Sequence, residues 1–202
     1  DTRLMPAIHL HCFEAIEKML HESDFDGING GKYRITVGAI DTGGGKGKYD
    51  DYSRTSQVYD FCRRNPIMVP IKGAGRNTQQ FSVSSADKYP GTNKAIPGGL
   101  KLYRVNVHYY KDQLAGRLEA AAGDPGHWHF HHDFPEEYAR HYTSESKNEK
   151  GDWEHDRKIR NDLWDCDVYQ LFLADMLGVT QWVRPDEQQP RRRRRVISKG
   201  VR

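Results

Sequence analysis

Apolar positions along the chain fall into helical stripes separated by short alternating runs. From residue 5 to 22, "MPAIHLHCFEAIEKMLHE" sets Leu10, Phe13, Ile16 and Leu20 at helical spacing, with Pro6 tolerated in a first turn. "SDFDGINGGKYR" is turn chemistry, after which "YRITVGAI" (33–40) alternates like a strand entering a core. The pattern next predicts a helix over 55–64 and a short buried strand, "IMVPI", over 67–71. Residues 72–99 read as a long polar connection, of the kind that forms an insert with a task of its own or a mobile segment. A strand over 100–107 follows, then a helix over 109–122 with Tyr110, Leu114, Leu118 and Ala121 on one face. The extended piece "HWHF" leads to a helix near 134–142, and a final helix over 159–177 stops at Gly178, a suitable C′ residue. Strands alternating with helices predict an α/β sheet with mostly parallel crossovers, whose working groups gather at the carboxyl ends of strands.

Composition adjusts this picture in two places. At 202 residues and 36% hydrophobic, the chain is expected to be one domain over 1–183, followed by a basic tail over 184–202. That tail carries eight Arg and Lys against Asp186 and Glu187, so the formal charge of +3 conceals an acidic body. The run of arginines at 191–195 has no apolar face beside it and is expected to be a solvated arm able to meet a polyanion. No apolar run approaches the ~20 residues of a membrane span, and no signal-peptide pattern is expected. Cys12, Cys62 and Cys166 are few and far apart, which argues against a disulfide framework and fits a reducing compartment such as cytoplasm.

The candidate chemistry begins at "VGAIDTGGGKGKY" (37–49). A phosphate-binding loop would need Gly, four residues, then Gly-Lys-Ser/Thr. Here Tyr49 follows Gly47 and Lys48, and Thr42 takes the first glycine position, so two fixed positions fail. Asp41 is the other candidate. It stands at the end of a strand beside glycines that let a phosphodiester backbone approach, and it is suited to bind a divalent metal. Taken alone, an aspartate capping its own turn would explain it better.

Asp41 is not alone. In "RNDLWDCDVYQLF", Asp162 and Asp165 share one helix face, while Leu163, Val168 and Leu171 serve packing. Asp41 with Asp165 is the combination expected of a phosphodiesterase using Mg²⁺ or Mn²⁺, with two ions in a complete site. A rival zinc site at His127, His129 and His131 has the spacing of one strand face but no convincing fourth ligand.

Read in order, "AIDTGGG", "SQVYDFCRR", "IMVPIKGAG", "LKLYRVNVHYYKD", "HFHHDFP", "TSE" and "RNDLWDCDVYQLFLADMLG" resemble the nuclease region of lambda-type large terminase subunits, the packaging motors of tailed phages. The resemblance spans roughly residues 5–180. It implies an RNase H-like (ribonuclease H/resolvase-type) mixed sheet flanked by helices, and a metal-dependent endonuclease that cuts concatemeric viral DNA. It also implies double-stranded DNA, the phage portal and the small terminase subunit as partners, in host cytoplasm and transiently at the procapsid portal.

Carried over by residue, Asp41 resembles the acid on the strand after the first helix. Asp165 resembles the acid of the closing helix, and Asp162 stands where the family often has Glu. Residues 107–112 resemble a Thr-Asp-x-x-Lys-Asp/Glu piece, except that His108 takes the Asp position; imidazole there could bind metal or move a proton. The catalytic set expected from the resemblance is therefore Asp41, Asp165, Asp162 and His108, with Lys46, Lys48, Lys72 and Arg76 on the DNA backbone. An RNase H-like fold opens with a three-stranded meander carrying its first acid; this chain begins at what resembles the helix after that meander. A catalytically silent module that binds DNA or the portal is the alternative expectation.

Overall fold

In the computed structural model, residues 5–27, 30–43, 53–75, 79–130 and 133–182 are described, with side chains of the first helix described from Cys12 onward. The chain opens with helix α1 (Met5–Glu22) and a small antiparallel pair, β1 (Phe25–Asp26) with β2 (Lys32–Tyr33). Strand β3 (Gly38–Asp41), helix α2 (Arg54–Arg64) and strand β4 (Met68–Ala74) then form a parallel β-α-β unit. Strands β5 (Phe81–Lys88) and β6 (Ala95–Asn106) make an antiparallel hairpin, and β6 lies parallel to β4. The resulting four-stranded sheet has the order β3-β4-β6-β5. Helix α3 (Val107–Glu119), the short α4 (Glu136–Tyr142), the hairpin β7 (Glu145–Lys147) with β8 (Trp153–His155), and helix α5 (Asp162–Met176) complete the described residues.

The sheet separates two cores, and strand alternation decides which residue joins which. On one face Ile71 and Val105, both fully buried, meet Tyr110 and Leu114 of α3 and Trp164, Val168 and Phe172 of α5. Full burial of a side chain such as Phe172 contributes roughly 1.5–3 kcal/mol relative to exposure. On the other face Met68 meets Val58, Phe61 and Cys62 of α2, with Leu20, Phe13 and Ile16 of α1 packed on them. Burial pushes the Cys62 thiol up to about 12, as befits a small apolar filler.

Local chemistry sets the element ends. Ser53 caps α2 by accepting a hydrogen bond from the Ser56 amide at 3.2 Å. Asn106 is at once the last residue of β6 and the cap of α3, accepting from the Tyr109 amide at 3.1 Å, so strand becomes helix without a loop. Gly178, at φ 63°, supplies the left-handed residue after α5.

Three sequence expectations change here. The polar stretch 72–99 is largely strand: its serines lie on β5, a sheet edge, where no apolar alternation is needed. Asn106 ends β6 one residue before the predicted limit, which places His108 within α3 rather than at a strand end. "HWHF" (127–130) is not a strand; the described residues show it wrapping the end of α3, with the Trp128 amide bonded to the Arg117 carbonyl at 3.1 Å. The hairpin at 145–155 was not foreseen, although Asn148, Gly151 and Asp152 are ordinary turn residues. The mixed α/β arrangement itself is as expected.

Candidate active site

Asp41 ends β3, and its position follows from the period of two. Ala39 packs on the α3/α5 core and Ile40 on the α2 core, so Asp41 falls on the α5 side. The next residue anchors it. The Thr42 amide donates to the Ile71 carbonyl at 2.7 Å, and the Thr42 carbonyl accepts from Thr55 Oγ1 at 2.7 Å. Asp41 Oδ1 accepts the Gly43 amide at 2.6 Å, the self-capping turn considered from sequence. Asp41 Oδ2 accepts the Tyr169 hydroxyl from α5 at 3.0 Å. Gly73 makes this contact possible: a Cβ there would lie 3.3 Å from Tyr169 Oη and 3.3 Å from Val107.

Asp165 lies in the first turn of α5 and faces the same groove. That open groove, about 600 Å³, is lined by Asp41, Asp162, Asp165, Cys166, Asp167 and Tyr169, among others. Acids in a first helical turn are favoured by the helix dipole, which gives Asp162 and Asp165 a structural reason as well. Asp162 also pairs with Arg160 at 2.7 Å on the exposed rim.

Asp165 has charged company. Its Oδ2 accepts from Asn161 Nδ2 at 3.0 Å, and its Oδ1 stands 3.6 Å from Lys111 Nζ. Burial raises its pKa above the ordinary carboxylate value; Lys111 opposes this, and the negative charges of Glu145 and Asp41 add to it. Burial, followed by the charge of Asp41, likewise raises the Tyr169 phenol, keeping it a proton donor to that carboxylate.

In the sequence reading Glu145 is only the last residue of the motif piece "TSE", with no role assigned to it. It opens β7 with its side chain only 3% exposed, accepting from Lys111 at 2.5 Å and from Asn161 at 2.8 Å. Its sequence signal was that motif piece; the hairpin between Glu145 and His155 that it opens was not foreseen.

The other described candidates do not line the groove. His108 does not line it, and its Nδ1 is buried without a hydrogen-bond partner among the described residues. Lys72 follows Ile71, so alternation turns it to the α2 side, where it lies level with the exposed Arg104. Lys46, Lys48 and Arg76 lie outside the described residues, as do His131 and the tail from 183. His127 Nδ1 is engaged with the Ala120 carbonyl at 2.7 Å and His129 is exposed. Among the described residues no group of three or more His, Cys, Asp or Glu is arranged to hold a metal ion, and no helix is long and apolar enough to cross a membrane.

A mixed sheet with helices on both faces, and two distant aspartates brought to one groove, is compatible with an α/β nuclease fold. The family follows from comparison. The chain belongs to the family described as terminase large subunit gpA, endonuclease domain, which matches residues 7–186. It is thus a phage terminase nuclease region, as its motifs suggested, and nucleases of this kind act on DNA. No match was found among curated proteins or among solved structures.

Proposed function

We propose that this region is a divalent-metal-dependent DNA endonuclease of RNase H-like type, cutting concatemeric viral DNA by phosphodiester hydrolysis. The observation that supports it most is the convergence of Asp41 and Asp165 on one open groove from opposite ends of the sequence. Both offer hard oxygen donors, the kind Mg²⁺ and Mn²⁺ prefer. Burial together with neighbouring negative charge makes the ionised Asp165 costly, so the groove favours a cation. In donor chemistry the pair fits a divalent ion. Held between Asp41 and Asp165, such an ion would supply Lewis-acid activation of water and of the scissile phosphate.

The chain's own residues prepare the site. The Gly43 amide and the Tyr169 hydroxyl fix both oxygens of Asp41, and Asn161 orients Asp165. Gly43 keeps the strand end free of side chains where a DNA backbone would approach. Asp162, on the groove's rim, would steer the ion rather than hold it. Lys72, with Arg76, Lys46 and Lys48, would meet phosphates, a contact blind to sequence and weakened by salt. Portal and small-subunit docking, with a location at the procapsid in host cytoplasm, complete the proposal.

A plasmid-nicking assay with Mn²⁺ tests it. Wild-type chain should nick, and Asp41→Ala and Asp165→Ala should each remove the nicking while retaining the fold. Cleavage that survives both substitutions would sink the assignment. His108 in place of the family's acid favours a second reading, a silent DNA- or portal-binding module. Salt-sensitive DNA retention with no cleavage by wild type would support that one.

A further inference from the structure

We infer that Glu145 is a positioning residue: it holds the Lys111 ammonium off Asp165 and so keeps that carboxylate open to a divalent cation. This rests on the reading of Asp41 and Asp165 as the cation-holding pair.

Glu145 and Asp165 compete for the same two donors. Lys111 Nζ lies 2.5 Å from Glu145 Oε2 and 3.6 Å from Asp165 Oδ1. Asn161 Nδ2 donates to Glu145 Oε1 at 2.8 Å and to Asp165 Oδ2 at 3.0 Å. The three charged side chains differ in depth. Glu145 is 3% exposed and Lys111 12%, whereas Asp165 is 38% exposed and opens to the groove. The inner acid is therefore the fixed end of the network, and the outer acid is the one left accessible. A buried ammonium must have an anion beside it, because isolated burial of a charge is costly. While Glu145 fills that need, Lys111 leaves Asp165 only loosely engaged. With Glu145 neutral, Asp165 would become the one carboxylate within ion-pair distance of Lys111 among the described residues. The ammonium would then compete with a metal ion for it.

The geometry fixes opposite signs for the two halves of the pair. Glu145→Gln frees Lys111 to close on Asp165 and should weaken cation binding. Lys111→Met removes the competitor and should tighten it. An ion pair that merely fastened β7 to α3 would lower stability in both variants without splitting their cation affinities.

The test is calorimetric titration of the full chain with Mn²⁺ alone, without DNA, beside unfolding midpoints measured in EDTA. E145Q is expected to bind Mn²⁺ about tenfold more weakly than wild type, a usual loss for a group that orients a metal ligand. K111M is expected to bind it more tightly, and D165N to lose it. Wild-type affinity in E145Q, with D165N inactive in binding, would overturn this inference and leave the paired-aspartate reading standing. Wild-type affinity in D165N would overturn that reading and this inference together. Should E145Q fail to fold, K111M decides: tighter binding supports the inference, and equal or weaker binding overturns it.

Discussion

The two faces of the central sheet are built from the same strands and do different work. On the α5 side, Ala39, Ile71, Tyr103 and Val105 pack against aromatic residues, and the row continues at the strand end into Asp41. On the α2 side, Ile40, Met68 and Leu100 pack against α1 and α2, and the rows end in Lys72 and Arg104. One residue of register separates Ile71 from Lys72, and with it an acidic groove from a basic edge. Both faces are apolar within, and the acidic and basic groups stand at the carboxyl ends of the strands, where packing no longer dictates the side chain.

The largest expected effects would test whether the faces can be uncoupled. Phe172→Ala on the α5 side and Phe61→Ala on the α2 side each remove a fully buried ring and should cost about 3–5 kcal/mol in urea unfolding. Only the first loosens the helix that carries Asp165 and Tyr169. Cleavage per folded molecule, measured at low temperature, should therefore fall in F172A and persist in F61A. Equal losses in both would mean that the site depends on the whole core.

Tyr169→Phe probes the seam between β3 and α5 more gently. It removes one hydrogen bond to Asp41 and should cost about 1 kcal/mol in stability, with a larger proportional loss in nicking rate. A stability loss with unchanged nicking would show that Asp41 needs no help in orientation.

Asp165→Asn gives a test by pH. The folded-state pKa is raised above 3.8, chiefly by burial, so the native state binds its proton more tightly than the unfolded chain. Its contribution to stability is present at acid pH and is lost as pH rises through the raised value. In EDTA, D165N should therefore melt higher than wild type at neutral pH, and the gap should close as pH falls below the ordinary carboxylate range. A gap that widened in acid would refute the sign.

The smallest effect belongs to the basic edge. Lys72→Ala or Arg104→Ala should reduce the salt slope of DNA retention by about one unit each and leave Mn²⁺ affinity alone. A change in Mn²⁺ affinity would connect two faces that the register separates.

Much of this was legible in the chain. Helix stripes such as Tyr110, Leu114 and Leu118 carry their period openly, because one face of each is buried in a core. Asp41 and Asp165 stood out because an acid beside a strand end or in an inward-facing helical turn conflicts with its surroundings. Strand β5 was not legible, although its partner β6 was in part: an edge strand exposed on its outer side is under no demand to be apolar. Glu145 was hidden for another reason. Its meaning comes from Lys111 and Asn161, which lie on either side of it in the sequence and meet it only after folding.

Period by itself determined the mixed α/β class and the helices, and the ordered motifs carried the resemblance to the terminase endonuclease family to which the chain belongs. Local spacing is enough for those, since helices and strands repeat every few residues. Tertiary structure alone decided that Asp41 and Asp165 share a groove and that Lys72 turns to the opposite face. It also decided that a buried glutamate manages the lysine beside Asp165. Those relations depend on strand register and on helix placement across the sheet, which long-range packing fixes and no local pattern records.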